Sequence, residues 1–144
     1  MVFYFFYFFL SLVIYFIVHF LKFFSNKIYL NLKFQRKTLN QVIKKIYSDN
    51  ARQKKILLFH AASAGEFEQI KPILKNIDRS KYYIIQSFTS STVYSEEYEN
   101  KLFDISCYHP YDFIWKSYVF FKSIRPSSYI VSRHDIWPMH ILMA

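Results

Sequence analysis

One glycine, Gly65, serves the whole 144-residue chain. Glycine reaches left-handed backbone without penalty, so a chain this poor in it has few tight turns. It has little room to cradle a phosphate on backbone alone. Neither a G-x-G-x-x-G run nor a P-loop is present, so the chain carries no recognisable nucleotide-binding site of its own. If a nucleotide donor is used, something else must bind it. The glycine stands in "FHAASAGEF", residues 59–67, after an apolar run ending in His60.

From residue 55 onward, short apolar runs alternate with stretches of helical periodicity. "KILLFH" (55–60), "YYIIQSF" (82–88), "DISCYH" (104–109) and "SSYIVSR" (127–133) read as strands. Between them, "EFEQIKPILKNI" (66–77) places Phe67, Ile70, Ile73, Leu74 and Ile77 on one helical stripe, with a kink expected at Pro72. "TSST" (89–92) offers an N-cap for a helix running to about Leu102, and residues 111–124 make a third helix. Another begins after Trp137-Pro138. This alternation predicts an α/β fold with a parallel sheet. Ligands of such sheets bind beyond the carboxyl ends of the strands. Those ends hold His60–Glu66, Phe88–Thr92, His109–Asp112 and Ser132–Asp135. Gly65 is expected to make the tight turn that presents Glu66 there. No internal repeat of solenoid length is present.

The N-terminus has a different character. Residues 2–21 contain only Ser11 and His19 outside the hydrophobic set. Twenty helical residues span roughly 30 Å, the thickness of a bilayer core. A retained membrane anchor over 1–24 is the expectation. The segment lacks the basic start and small-residue cleavage site of a signal peptide. Its wealth of Phe and Tyr also suits a helix lying in the interface. Residues 1–55 carry ten Lys/Arg against Asp49 alone, a net +9, whereas residues 56–144 balance nine against nine. The basic excess directly follows the apolar segment, so a membrane surface is a simpler partner than nucleic acid. The positive-inside bias places the globular part on the cytoplasmic side. Within the basic juxtamembrane segment 25–54, Leu39, Val42, Ile43 and Ile46 recur at helical spacing. That helix packs on the domain or rests on anionic lipid.

Cys107 stands alone, which excludes an internal disulfide and a multi-cysteine metal site. His60, His109 and His134 have no metal-ligand spacing, so neither metal nor resident cofactor is expected.

Five stretches in order carry a family resemblance. "LLFHAASAGE" resembles the H-x-x-S-x-G-E motif of the 3-deoxy-D-manno-octulosonic acid (Kdo) transferases. Pro72 takes a similar place in the following helix. "SFTSST" stands where many members have Thr-x-Thr-Gly, and "HPYD" (109–112) resembles L-P-Y-D. "IRPSSYIVSRHDIWP" resembles a stretch ending E-T-E-L-W-P. The resemblance implies a GT-B glycosyltransferase whose N-terminal, Rossmann-like domain binds the acceptor. It implies transfer of Kdo from CMP-Kdo to a lipid A precursor, at the inner (cytoplasmic) membrane. Glu66 falls on the general base. Ser63, Gly65, Thr89, Ser91 and Asp135 fall on the acceptor side.

The departures are specific. Arg133, His134 and Asp135 replace E-T-E, and Thr92 replaces the turn glycine. The chain ends at Ala144, before a donor domain would begin. The expectation is therefore an incomplete α/β domain over 55–144, inactive alone, with CMP-Kdo bound mainly by a missing C-terminal domain. The alternative is a non-catalytic, membrane-tethered binding module.

Overall fold

The computed structural model describes residues 2–133 and 136–144. Two helices lead, α1 (Val2–Leu21) and α2 (Asn26–Ser48), followed by a single 3-10 turn at Ala51–Gln53. The α/β region then runs β1 (Lys55–Ala61), α3 (Ala64–Lys75), β2 (Tyr82–Phe88), α4 (Ser91–Glu97), β3 (Ile105–Tyr108), α5 (Ile114–Ile124), β4 (Ser128–Val131) and α6 (Pro138–Met143).

The four strands form one parallel sheet in the order β3-β2-β1-β4. The chain builds outward from β1 through β2 to β3, then crosses to the other side of β1 for β4. That reversal is the topological switch point of a doubly wound sheet. Strand residues alternate between two packed faces. Ile56, Leu58, Tyr83, Ile85 and Cys107 meet α2 and α5 through Val42, Ile46, Phe120 and Ile124. Phe59, Ala61, Ile84 and Phe88 meet α3 and α4 through Phe67, Ile70, Leu74 and Val93. Each of the larger side chains so buried contributes about 1.5–3 kcal/mol.

The expected strands all form, with small differences at their ends. The α2 stripe of Leu39, Val42 and Ile46 is consumed by the core, so the lipid-resting reading of that face does not hold. The α3 helix runs through Pro72 to Lys75. The α4 helix is shorter than expected and stops at Glu97. Its exit is fixed by Asn100, whose side chain donates to Glu97 Oε2 (2.6 Å) and accepts from Leu102 N (2.9 Å). That turn delivers Phe103 into the core and replaces the last helical turn.

Gly65 corrects an expectation. It sits inside the first turn of α3, not at a tight turn, and its φ is not positive. The left-handed positions among the described residues are Asn50 (φ 52°), after α2, and Arg125 (φ 50°), capping α5.

Among the described residues no single helix is long and apolar enough to cross a membrane. Residues 6–21 of α1 and α2 meet such a test only as a pair, bent by 113°. The α1 helix lies against the domain. Ser11 is buried, and the Tyr15 ring meets Phe113 and Trp115 edge-on at 5.2 and 5.4 Å between centroids.

Candidate functional site

The carboxyl edge of the sheet carries two distinct polar assemblies. The first lies at the β1–α3 junction. Ser63 is extended (φ −137°, ψ 164°) and caps α3, its hydroxyl accepting from Glu66 N at 3.3 Å. Glu66 reaches back, and its Oε2 accepts from Ala62 N at 2.7 Å. This reciprocal arrangement is close to a capping box, displaced by one residue at the Glu end. It holds a half-buried carboxylate in the first turn of a helix, at the positive end of the helix dipole. The junction adjoins the switch point, where α/β sheets bind ligands. Gly65 is exposed, and a Cβ there would meet nothing within 4 Å. Neither backbone conformation nor packing demands the glycine. It leaves the backbone bare on the open side of the junction.

Thr89 and Ser91 lie on the neighbouring strand end. Ala61 pairs with Phe88 across β1 and β2, and Thr89 N donates to Ala61 O at 3.4 Å. Ser91 opens α4 and is buried, while the cap position is Ser90, which makes no side-chain cap bond. The structure therefore gathers Ser63, Gly65, Glu66, Thr89 and Ser91 at the ends of two adjacent strands. Asp135 and His134 lie outside the described residues.

The second assembly is buried, behind the first. Ser87 donates to Phe59 O at 3.0 Å, so toward the imidazoles of His60 (3.2 Å) and His109 (3.0 Å) it can only accept. His109 Nε2 contacts His140 Nδ1 at 3.1 Å and the Tyr129 hydroxyl at 3.2 Å. Burial, reinforced by the neighbouring His60 and His140, pushes the pKa of His109 well below its ordinary 6.5. His109 is therefore held neutral. Asp112 closes the assembly. Its Oδ1 accepts from His140 N at 2.8 Å, and its Oδ2 accepts from Met139 N at 3.1 Å and from the Tyr7 hydroxyl at 2.6 Å. One carboxylate thus caps α6 and ties down α1.

A cavity of about 320 Å³ separates α1 from this edge. Tyr7, Ile14 and Val18 roof it, and Ala62, Thr89 and His109 form part of its floor. No group of three or more His, Cys, Asp or Glu residues suited to a metal occurs among the described residues.

Sequence reasoning missed the polar face of α2. Asn31 donates to Thr89 O at 3.0 Å and His109 O at 3.4 Å, and Thr38 Oγ1 accepts from Tyr108 N at 3.1 Å. Gln35 donates to Asn31 Oδ1. These residues satisfy backbone groups at the ends of β2 and β3. The signal was available, since 31, 35 and 38 continue the stripe of 39, 42 and 46 by one helical repeat.

The profile of the 3-deoxy-D-manno-octulosonic-acid transferase (kdotransferase) family matches residues 35–144. No curated protein and no solved structure matches the chain. The family match spans the whole sheet, the capped Glu66 and the part of α2 from Gln35 onward, and the chain belongs to this family of glycosyltransferases.

Proposed function

We propose that the chain is the acceptor-binding side of a GT-B transferase that moves Kdo from CMP-Kdo to a lipid A precursor. Glu66 is the general base. A sugar hydroxyl attacks well only if a positioned group takes its proton. The supporting observation is the way Glu66 is held. Ala62 N fixes Oε2, while Oε1 makes no hydrogen bond among the described residues. One oxygen sets the geometry and the other is available to a substrate. Ser63, the bare backbone at Gly65, Thr89 and Ser91 surround the position an acceptor would take, and Asp135 is assigned by its motif alone.

The membrane belongs to this reading. Phe6, Phe9, Leu10, Val13, Phe16, Ile17 and Phe20 form one exposed apolar stripe on α1, opposite the face docked through Tyr7 and Ser11. A patch of this kind marks an interaction surface. We place it in the interface of the inner (cytoplasmic) membrane, with the basic α2 alongside and the globular part in the cytoplasm. Phe16→Asp together with Phe20→Asp should release the chain from anionic vesicles in a flotation assay. Unchanged flotation excludes this placement.

One observation favours a second reading. The Ala62–Glu66 bond is itself a helix-capping contact, so a non-catalytic, membrane-tethered binding module would keep the same glutamate. Glu66→Gln separates the two, because glutamine can still accept from Ala62 N but cannot serve as the base. The test uses the chain fused to the CMP-Kdo-binding domain of a family member, with a lipid A precursor as acceptor. Turnover should fall roughly 10²–10⁴-fold with acceptor binding retained. Undiminished turnover would leave Glu66 as a cap only.

A further inference from the structure

We propose that the groove between α2 and α4 seats a phosphate-bearing sugar headgroup. The proposal rests on the acceptor-side reading above and adds to it a location for the charged end of the acceptor. The groove encloses about 740 Å³, within the roughly 300–1,000 Å³ typical of ligand sites. It starts beside the carboxyl edge, since Ser91 is one of its lining residues and follows Thr89 by two positions.

Three features of the lining point to this ligand. The first is charge. Lys27 and Lys37 of α2 line the groove, no acidic residue does, and neither lysine pairs with a carboxylate among the described residues. Both belong to the N-terminal region that holds the chain's entire basic excess, so the local field favours an anion. The ammonium of lysine binds phosphate as a compact point charge.

The second feature is a column of aromatic rings. Tyr94 stacks on Tyr108 at 4.2 Å between centroids (27° between planes) and on Tyr98 at 6.0 Å (25°). All three line the groove. Tyr98, 49% exposed, ends this column, and an open ring face there suits the apolar face of a sugar ring, which simple adsorption to a charged lipid surface would not require.

The third is a set of hydroxyls along α4. Ser91 is 5% exposed, and its hydroxyl has no hydrogen-bond partner among the described residues. Ser95 donates to Thr92 O at 2.8 Å, which leaves its oxygen able to accept from a sugar hydroxyl. Thr38 is different, because its hydroxyl already accepts from Tyr108 N and holds the wall in place.

The experiment uses the full chain in lauryldimethylamine oxide micelles, which carry neither sugar nor phosphate. Glucose 1-phosphate, inorganic phosphate and glucose are titrated separately and followed by backbone amide NMR. Glucose 1-phosphate should give saturable shifts centred on Lys27, Lys37, Ser91, Tyr94 and Tyr98. The pair Lys27→Gln and Lys37→Gln should weaken it about tenfold or more, as expected for lost charge-assisted contacts. Tyr98→Ala should weaken glucose 1-phosphate while leaving inorganic phosphate unchanged. These surface substitutions spare the core, and an unchanged spectrum elsewhere shows that the variants are folded. The proposal is overturned if no saturable shift occurs in the groove, or if inorganic phosphate binds as well as glucose 1-phosphate. It is also overturned if only phosphatidylglycerol vesicles shift these residues. Its failure is distinct from failure of the catalytic reading. A silent groove with turnover still dependent on Glu66 removes the groove alone. A binding groove with turnover indifferent to Glu66 removes the base and leaves the groove.

Discussion

Two polar junctions share the carboxyl edge of one sheet, and they are built for different ends. At β1–α3, Glu66 is half-buried, its hydrogen bonds are local, and Ser63 and Gly65 beside it are exposed. At the end of β3, His109 and Asp112 are engaged over long sequence distances, with Ser87, Tyr129, His140 and Tyr7. The first junction costs little to alter structurally and presents groups outward. The second spends its polar atoms on joining α1, α6 and the strands. Both lie within the residues matched by one family profile, so membership of the family alone does not distinguish a reacting group from a positioning one.

The sharpest way to break the comparison is to exchange charge for shape at each junction. Glu66→Gln should lower turnover by the roughly 10²–10⁴-fold of a lost general base, while stability changes by less than about 0.5 kcal/mol because the cap remains. Asp112→Ala should do the opposite. It leaves Met139 N, His140 N and the Tyr7 hydroxyl without their acceptor, for a loss of about 1–3 kcal/mol in thermal or denaturant unfolding. Unfolding that responds equally to both substitutions would erase the distinction.

A smaller, pH-dependent effect follows from His109. Its pKa is depressed in the fold, so below about 6.5 the unfolded chain takes up a proton that the folded one refuses. Its contribution to stability is complete above that pH and declines as pH falls. Melting temperature should drop from about pH 6.5 downward, and His109→Asn should flatten that slope. An identical slope in the variant would assign the acid sensitivity elsewhere.

The smallest effect concerns Gly65. Alanine fits its conformation and space, and should stabilise α3 by about 0.5–1 kcal/mol. If the glycine is kept so that an acceptor can approach the backbone, the same substitution weakens acceptor binding. A variant that is more stable and binds equally well would remove Gly65 from the site.

Much of this was legible in the sequence. The β1 and β2 runs are short and apolar, and the strands form within about two residues of where the pattern puts them. The S-x-x-E spacing at Ser63 and Glu66 is local, so its cap survives into the fold. What was not legible depended on distant partners. Nothing near Asp112 announces that it caps a helix beginning at Pro138 or accepts from Tyr7. The end of α4 at Glu97 follows from the Asn100 turn and the burial of Phe103, whereas the sequence reading carried the helix on to about Leu102. The glycine reading failed for a related reason. Scarcity suggested a tight turn, yet the left-handed positions among the described residues are Asn50 and Arg125, at the ends of α2 and α5.

By itself the sequence determined the α/β alternation, the placement of the whole basic excess near the N-terminus, and the capped glutamate, because each can be read along the chain without knowing its distant partners. Only the tertiary structure decided that β4 returns beside β1, that α2 spends its apolar stripe on the core, and that α1 lies over the sheet edge. Those outcomes depend on which distant apolar faces and buried polar groups satisfy one another, and that is a property of the assembled chain.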